Sequence, residues 1–132
     1  MKRKKETAME YLLLIYHNEP QFEARTDAER QKMYAEYREL IQDLEKNGKL
    51  KGSNQLQATT TATTVRVRNG KQSITDGPFA ETKEQLGGYF LVDARDMEEA
   101  KAIAARIPSV HGGSIEVRPV VPPRPQAQSR AS

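Results

Sequence analysis

Three side chains in this 132-residue chain are of the types that proton chemistry needs: a carboxylate at Asp76, an imidazole at His17 and a phenol at Tyr37. Asp76 opens D-G-P-F within T-D-G-P-F-A-E-T-K-E-Q-L-G-G at residues 75–88. Asp bonds to nearby backbone, Gly supplies positive φ and Pro fixes φ at about −65°, so Asp76-Gly77-Pro78 reads as a tight turn. Phe79 follows as an apolar anchor. A carboxylate partly desolvated beside it would have a raised pKa suited to proton transfer; otherwise Asp76 serves only the backbone. His17 lies just past the first apolar run, with an ordinary pKa of about 6.5 that suits acid–base work. Tyr37 either offers its hydroxyl to a cleft or belongs to the apolar stripe of a helix. Glu81, Lys83 and Glu84 either grip a polar ligand or form a solvated, mixed-charge surface. His111, before two glycines, either binds an anion with neighbouring amides or sits in an exposed turn. The catalytic candidates are therefore Asp76, His17 and Tyr37. The ligand-binding candidates are Phe79, Glu81 and Lys83.

Other chemistries are excluded by what is missing. The chain has no cysteine, which removes disulfides, thiolate nucleophiles and Cys-based zinc sites. No H-x-x-x-H or comparable ligand spacing is present, so no metal site is expected. Gly87-Gly88 does not follow a strand and open a helix, so it is not a phosphate loop. No G-x-S-x-G elbow occurs. Without a nucleophile, elimination or isomerisation of a small molecule, with no cofactor, fits better than hydrolysis. The alternative is a non-catalytic module that binds a small ligand or a regulatory partner.

Lys and Arg number 21 against 18 acidic residues, a net charge of +3. Much of that excess lies at Met1-Lys-Arg-Lys-Lys5 and at Arg124 and Arg130, leaving a nearly neutral body without a nucleic-acid face. The apolar run at residues 11–16 is shorter than the roughly 7–15 residues of a signal-peptide core. Nothing approaches the roughly 18 residues of a membrane span. The expectation is a cytoplasmic protein with no membrane or nucleic-acid partner.

The elements that must position these groups follow from periodicity. Residues 1–8 read as a basic disordered tail and residues 122–132 as a Pro-rich disordered tail, leaving one domain at residues 9–121. Residues 10–16 form a continuous apolar strand and residues 18–25 a loop. Thr26-Asp27-Ala28-Glu29 is a capping box opening a helix to about Lys46, where Asn47-Gly48 stops it. A weak strand at residues 50–57 and an Asn69-Gly70 hairpin precede the D-G-P-F stretch. An apolar strand follows at about residues 88–93. A second capping box, Asp96 to Glu99, opens a helix to about Arg106, and a half-exposed edge strand at residues 114–120 ends the fold. The order β-α-β-(hairpin)-β-α-β is α+β: a ferredoxin-like split β-α-β with an inserted β-hairpin. Two helices cover one face of its sheet. The strands at residues 10–16 and 88–92 are apolar on both faces, so a homodimer with sheets packed face to face around a cleft is expected.

Four segments, Y-L-L-L-I-Y at 11–16, A-T-T-V-R-V-R-N-G at 62–70, T-D-G-P-F-A-E-T-K-E-Q-L-G-G-Y at 75–89 and G-G-S-I-E-V-R-P at 112–119, together resemble the YCII-related proteins. Within these they resemble the subgroup with the D-G-P-F motif. The resemblance spans roughly residues 9–120 and implies a dimeric α/β-barrel of ferredoxin-like subunits. It implies a cleft in which the wider family carries a His–Asp pair, the His on the first helix; here Tyr37 stands at that helix position. One branch resembling this fold includes a dehydrochlorinase of a chlorinated hydroxyquinol. Some D-G-P-F proteins are associated with extracytoplasmic-function sigma factors, which implies the regulatory alternative.

Overall fold

The computed structural model describes residues 8–123. The predicted disorder of the two tails falls mainly on residues 1–7 and 124–132, outside the described residues.

Strand β1 (Met9–His17) runs through the middle of a four-stranded antiparallel sheet of order β2-β5-β1-β6, made with β2 (Leu50–Gln55), β5 (Gln85–Ala94) and β6 (Ser114–Pro119). This is the ferredoxin-like arrangement. The period-2 geometry of a strand sends alternate side chains to opposite faces. Tyr11, Leu13 and Ile15 are accordingly buried beneath the helices, while Leu12, Leu14 and Tyr16 on the other face are only half-buried. Pro119 sits on edge strand β6, where a missing N–H costs least.

The long helix α2 (Asp27–Lys46) starts as the sequence predicts. Thr26 Oγ1 accepts from the Glu29 N–H at 3.1 Å, and Glu29 Oε1 accepts from the Thr26 N–H at 2.9 Å. It ends at Asn47, followed by Gly48 with φ of +69°. Its apolar stripe packs with helix α3 (Met97–Ala104) onto one face of the sheet. Leu13, Leu44, Val92 and Ile107 have at most 1% exposure at the centre of this layer.

Four local expectations need correction. The segment expected to be a loop contains a short helix α1 (Glu19–Glu23): Asn18 Oδ1 accepts from the Gln21 N–H at 2.9 Å, and Pro20 lies in the first turn. The apolar strand expected from about residue 88 begins earlier, at Gln85, so that Gly87 as well as Gly88 lies within it, and a register shift opposite Ile15/Tyr16 accommodates the irregularity. The second capping box is not reciprocal. Asp96 Oδ1 accepts from the Glu99 N–H at 2.9 Å, but Glu99 Oε1 accepts from the Arg95 N–H at 2.7 Å, while Lys49 Nζ pairs with its other carboxylate oxygen at 2.8 Å. The Asp76-Gly77-Pro78 turn is held by the neighbouring strand rather than by the Asp side chain. Gly77, at φ +103°, donates its N–H to Ala62 O at 2.7 Å, and Thr64 Oγ1 donates to Gly77 O at 2.8 Å.

The hairpin, β3 (Thr63–Arg68) and β4 (Lys71–Asp76), forms a separate two-stranded sheet. Asn69 and Gly70 both have positive φ, as a tight hairpin turn requires. Val65, Val67 and Ile74 on this arm are 57–61% exposed.

Candidate functional site

The chemistry collects around the C-terminal end of β1, where the strand leaves the sheet and α1 folds back over it. There a cavity of about 410 Å³, lined in part by Gly87 and Gly88, lies between the sheet and α2 within a single chain. Ile15, Met33, Ile41 and Phe90 supply apolar wall; Asn54 and Arg38 supply polar groups.

His17 lies in this wall. Its imidazole stacks on Phe22 of α1, ring centroids 4.6 Å apart and planes 13° from parallel. It also rests against Gly87, where a Cβ would stand 2.5 Å from Cε1 and 2.9 Å from Nε2. Glycine at 87 is therefore what lets the ring lie flat on the strand. Burial is the largest influence on this imidazole and holds its pKa below the ordinary 6.5; Glu19 opposes the shift and Arg25 adds to it. His17 is neutral at pH 7, with a lone pair available.

Tyr37 projects from α2 into the same cavity, its ring 6.1 Å from that of Phe90. Its hydroxyl is 2.6 Å from Ser109 Oγ, a side chain only 7% exposed. Burial raises the phenol above its ordinary 10.0, while the hydrogen bond to Ser109 opposes the shift. The group stays protonated at neutral pH and can donate.

The remaining candidates lie elsewhere. Asp76 is exposed at the end of β4, with no side-chain hydrogen bond or ion pair among the described residues. Phe79 is 77% exposed and does not anchor the turn within this chain. Arg66 reaches its carbonyl at 3.4 Å. Glu81 and Lys83 are exposed, and Lys83 contributes a carbonyl to Asn18 Nδ2 at 3.3 Å. None of Asp76, Phe79, Glu81 and Lys83 lines the cavity, whereas His17 and Tyr37 both do. Among the described residues, no three His, Cys, Asp or Glu side chains are grouped to hold a metal ion. No helix among them is long and apolar enough to cross a membrane.

Sequence reasoning missed Phe22, Ser109 and the role of Glu19. Phe22 was hidden by reading α1 as a loop, although Asn18 followed by Pro20 is a recognisable helix start. Ser109 carries no local signal; it matters only because a 3₁₀ turn (Pro108–Val110) brings it to α2. Glu19 takes both the Thr59 N–H at 2.8 Å and the Thr59 hydroxyl at 2.7 Å, which ties α1 to the segment before β3.

The model of the YCII-related domain matches residues 9–124. An uncharacterized protein of Rhizobium meliloti (strain 1021), R00369, is 35% identical over 114 residues, covering 85% of this chain and 92% of the relative. The family match spans the β1–β6 sheet and every residue of the cavity. The chain belongs to the YCII-related family.

Proposed function

We propose that the protein binds a small, largely apolar molecule between α2 and the sheet and carries out cofactor-independent proton transfer on it. The observation that carries this reading is a neutral imidazole and a protonated phenol in the wall of one cavity. His17 would remove a proton from carbon next to an electron-withdrawing group. The Tyr37 hydroxyl, paired with Ser109, would donate a hydrogen bond to the oxygen on which charge develops. The outcome is elimination where a leaving group is present and isomerisation where it is not. Ser109 pairs with a phenol rather than a base, so it is not an activated nucleophile. Asp76 and its loop are not needed for this chemistry.

Incubation in D₂O with a panel of small carbonyl compounds tests the reading. Solvent deuterium should enter the substrate with wild type. Incorporation should fall by about 10²-fold or more in His17→Gln, and by less in Tyr37→Phe. A second reading, a non-catalytic binding module, is favoured by one observation: among the described residues no carboxylate is hydrogen-bonded to the His17 ring to fix its tautomer. Compounds that bind the cavity but never exchange would select it.

We further propose a homodimer through the sheet face opposite the helices. Leu12 and Leu14 leave that face apolar, and the arm adds exposed Val65, Val67 and Ile74. Sedimentation equilibrium should give a dimer that Ile74→Asp, a change at an exposed site, weakens. A wild-type monomer at micromolar concentration would exclude it.

A further inference from the structure

A second, smaller cavity of about 40 Å³ adjoins the first and shares His17, Phe22 and Ser109 with it. Arg25, Asn18, Gln21 and His111 complete its polar side-chain lining. Arg25 is half-buried. It carries five N–H donors, yet its one side-chain hydrogen bond among the described residues goes to the thioether of Met33, 3.1 Å away. A thioether is a weak acceptor. The cation otherwise lies 5.7 Å from the centre of the Phe22 ring. No carboxylate within the described residues forms an ion pair with it, as is also true of Arg38, Arg66 and Arg68, whereas Arg95, Arg106 and Arg118 pair with Glu99, Asp43 and Glu116 at 3.5, 2.7 and 3.1 Å. A partly desolvated guanidinium with most of its donors unspent is poised to take an oxyanion in bidentate fashion.

We propose that the ligand of this site is an organic oxyanion, its charged head held by Arg25 in the small cavity and its apolar body lying in the large one. The inference rests on the large cavity being the ligand site. Size supports the division. A water needs about 10–15 Å³ of such space, so 40 Å³ admits a carboxylate or phosphate group but not a ring. The 410 Å³ cavity, walled by Ile15, Met33 and Phe90, admits the ring. His17 stands where the two cavities meet, so a head on Arg25 would place the adjoining carbon of the ligand near the imidazole.

The test is titration of the full chain with benzoate, phenyl phosphate and the neutral benzamide, read from the His17 and Tyr37 NMR signals. At least one anion should bind about tenfold or more tightly than benzamide, as expected when one charged hydrogen-bond pair is at stake. Whichever anion is tighter identifies the head group. Arg25→Gln should abolish the preference and Arg25→Lys should retain part of it, with both variants giving wild-type amide spectra away from the site. Benzamide binding as tightly as the anions, or a preference that survives Arg25→Gln, overturns the inference and leaves the cavity reading standing. No saturable shift with any of the three overturns it too, and the deuterium-exchange panel then decides the cavity reading separately.

Discussion

Replacement of Gly87 by Ala puts a methyl where the His17 ring now lies. The added Cβ would stand 2.5 Å from Cε1, against an ordinary contact of 3.4–4 Å, so the ring must retreat by about 1 Å or swing out. Phe22 is stacked on the imidazole at 4.6 Å, so retreat disturbs that pair as well. Overpacking of this kind costs about 1–3 kcal/mol, or a drop in Tm of roughly 3–5 °C per kcal/mol for a domain of this size. The more specific readout is the imidazole pKa. Burial is what depresses it most, so a displaced, hydrated ring should titrate closer to 6.5 than in wild type. The same shift has a stability consequence. In wild type the unfolded chain binds the proton more readily than the folded one. Stability is therefore full above about pH 6.5 and declines as pH falls below it towards the depressed folded value. Gly87→Ala should flatten that decline. NMR titration of the His17 Cε1–H signal and urea melts at several pH values measure both effects. A folded Gly87→Ala protein with an unchanged His17 pKa would refute the placement of the ring against this glycine.

Three other changes have defined outcomes. Tyr37→Phe leaves the buried Ser109 hydroxyl without its 2.6 Å partner and should destabilise by about 1–2 kcal/mol; adding Ser109→Ala should recover part of that loss in a double-mutant cycle of urea melts. Glu99→Gln removes a carboxylate whose pKa is held below 4.5 chiefly by the Lys49 hydrogen bond. It should cost of order 1 kcal/mol at neutral pH and less as pH falls below 4.5, since the wild-type contribution is lost when Glu99 protonates. Gly113→Ala would drive a methyl into the carbonyl oxygens of Tyr16 and Ser109, both backbone atoms that cannot step aside. A larger Tm loss than for Gly87→Ala is expected, with the strand-end geometry of His17 disturbed as well.

The layers of this fold are visible in the sequence because they rest on local rules. The Thr26–Glu29 box, the Asn69-Gly70 turn and the apolar runs of β1 and β5 each specify their element through neighbouring residues alone. The site depends instead on contacts between segments far apart in the chain. His17 and Tyr37 could be named as candidates by type, but nothing local says that Gly87 makes room for one and Ser109 pairs with the other. The D-G-P-F stretch stands out in the sequence because its residues are conformationally special. In one chain those features serve the base of the hairpin: Gly77 is tied to Ala62 and Thr64, while Asp76 and Phe79 face outward. Gly87 and Gly88 stand where no Cβ fits, but the atoms they make room for, His17 and the Asn54 carbonyl, lie outside the reach of any sequence pattern.

The most direct test of the central claim is mapping of small-molecule binding on the assigned amide and side-chain NMR spectrum of the wild-type chain. A fragment library should produce saturable shifts that cluster on His17, Phe22, Tyr37 and Ser109, and those shifts should vanish in a variant with Ile41→Trp filling the cavity from its α2 wall. Shifts that cluster instead on residues 76–83, and persist in that variant, would contradict the account and return the site to the D-G-P-F loop.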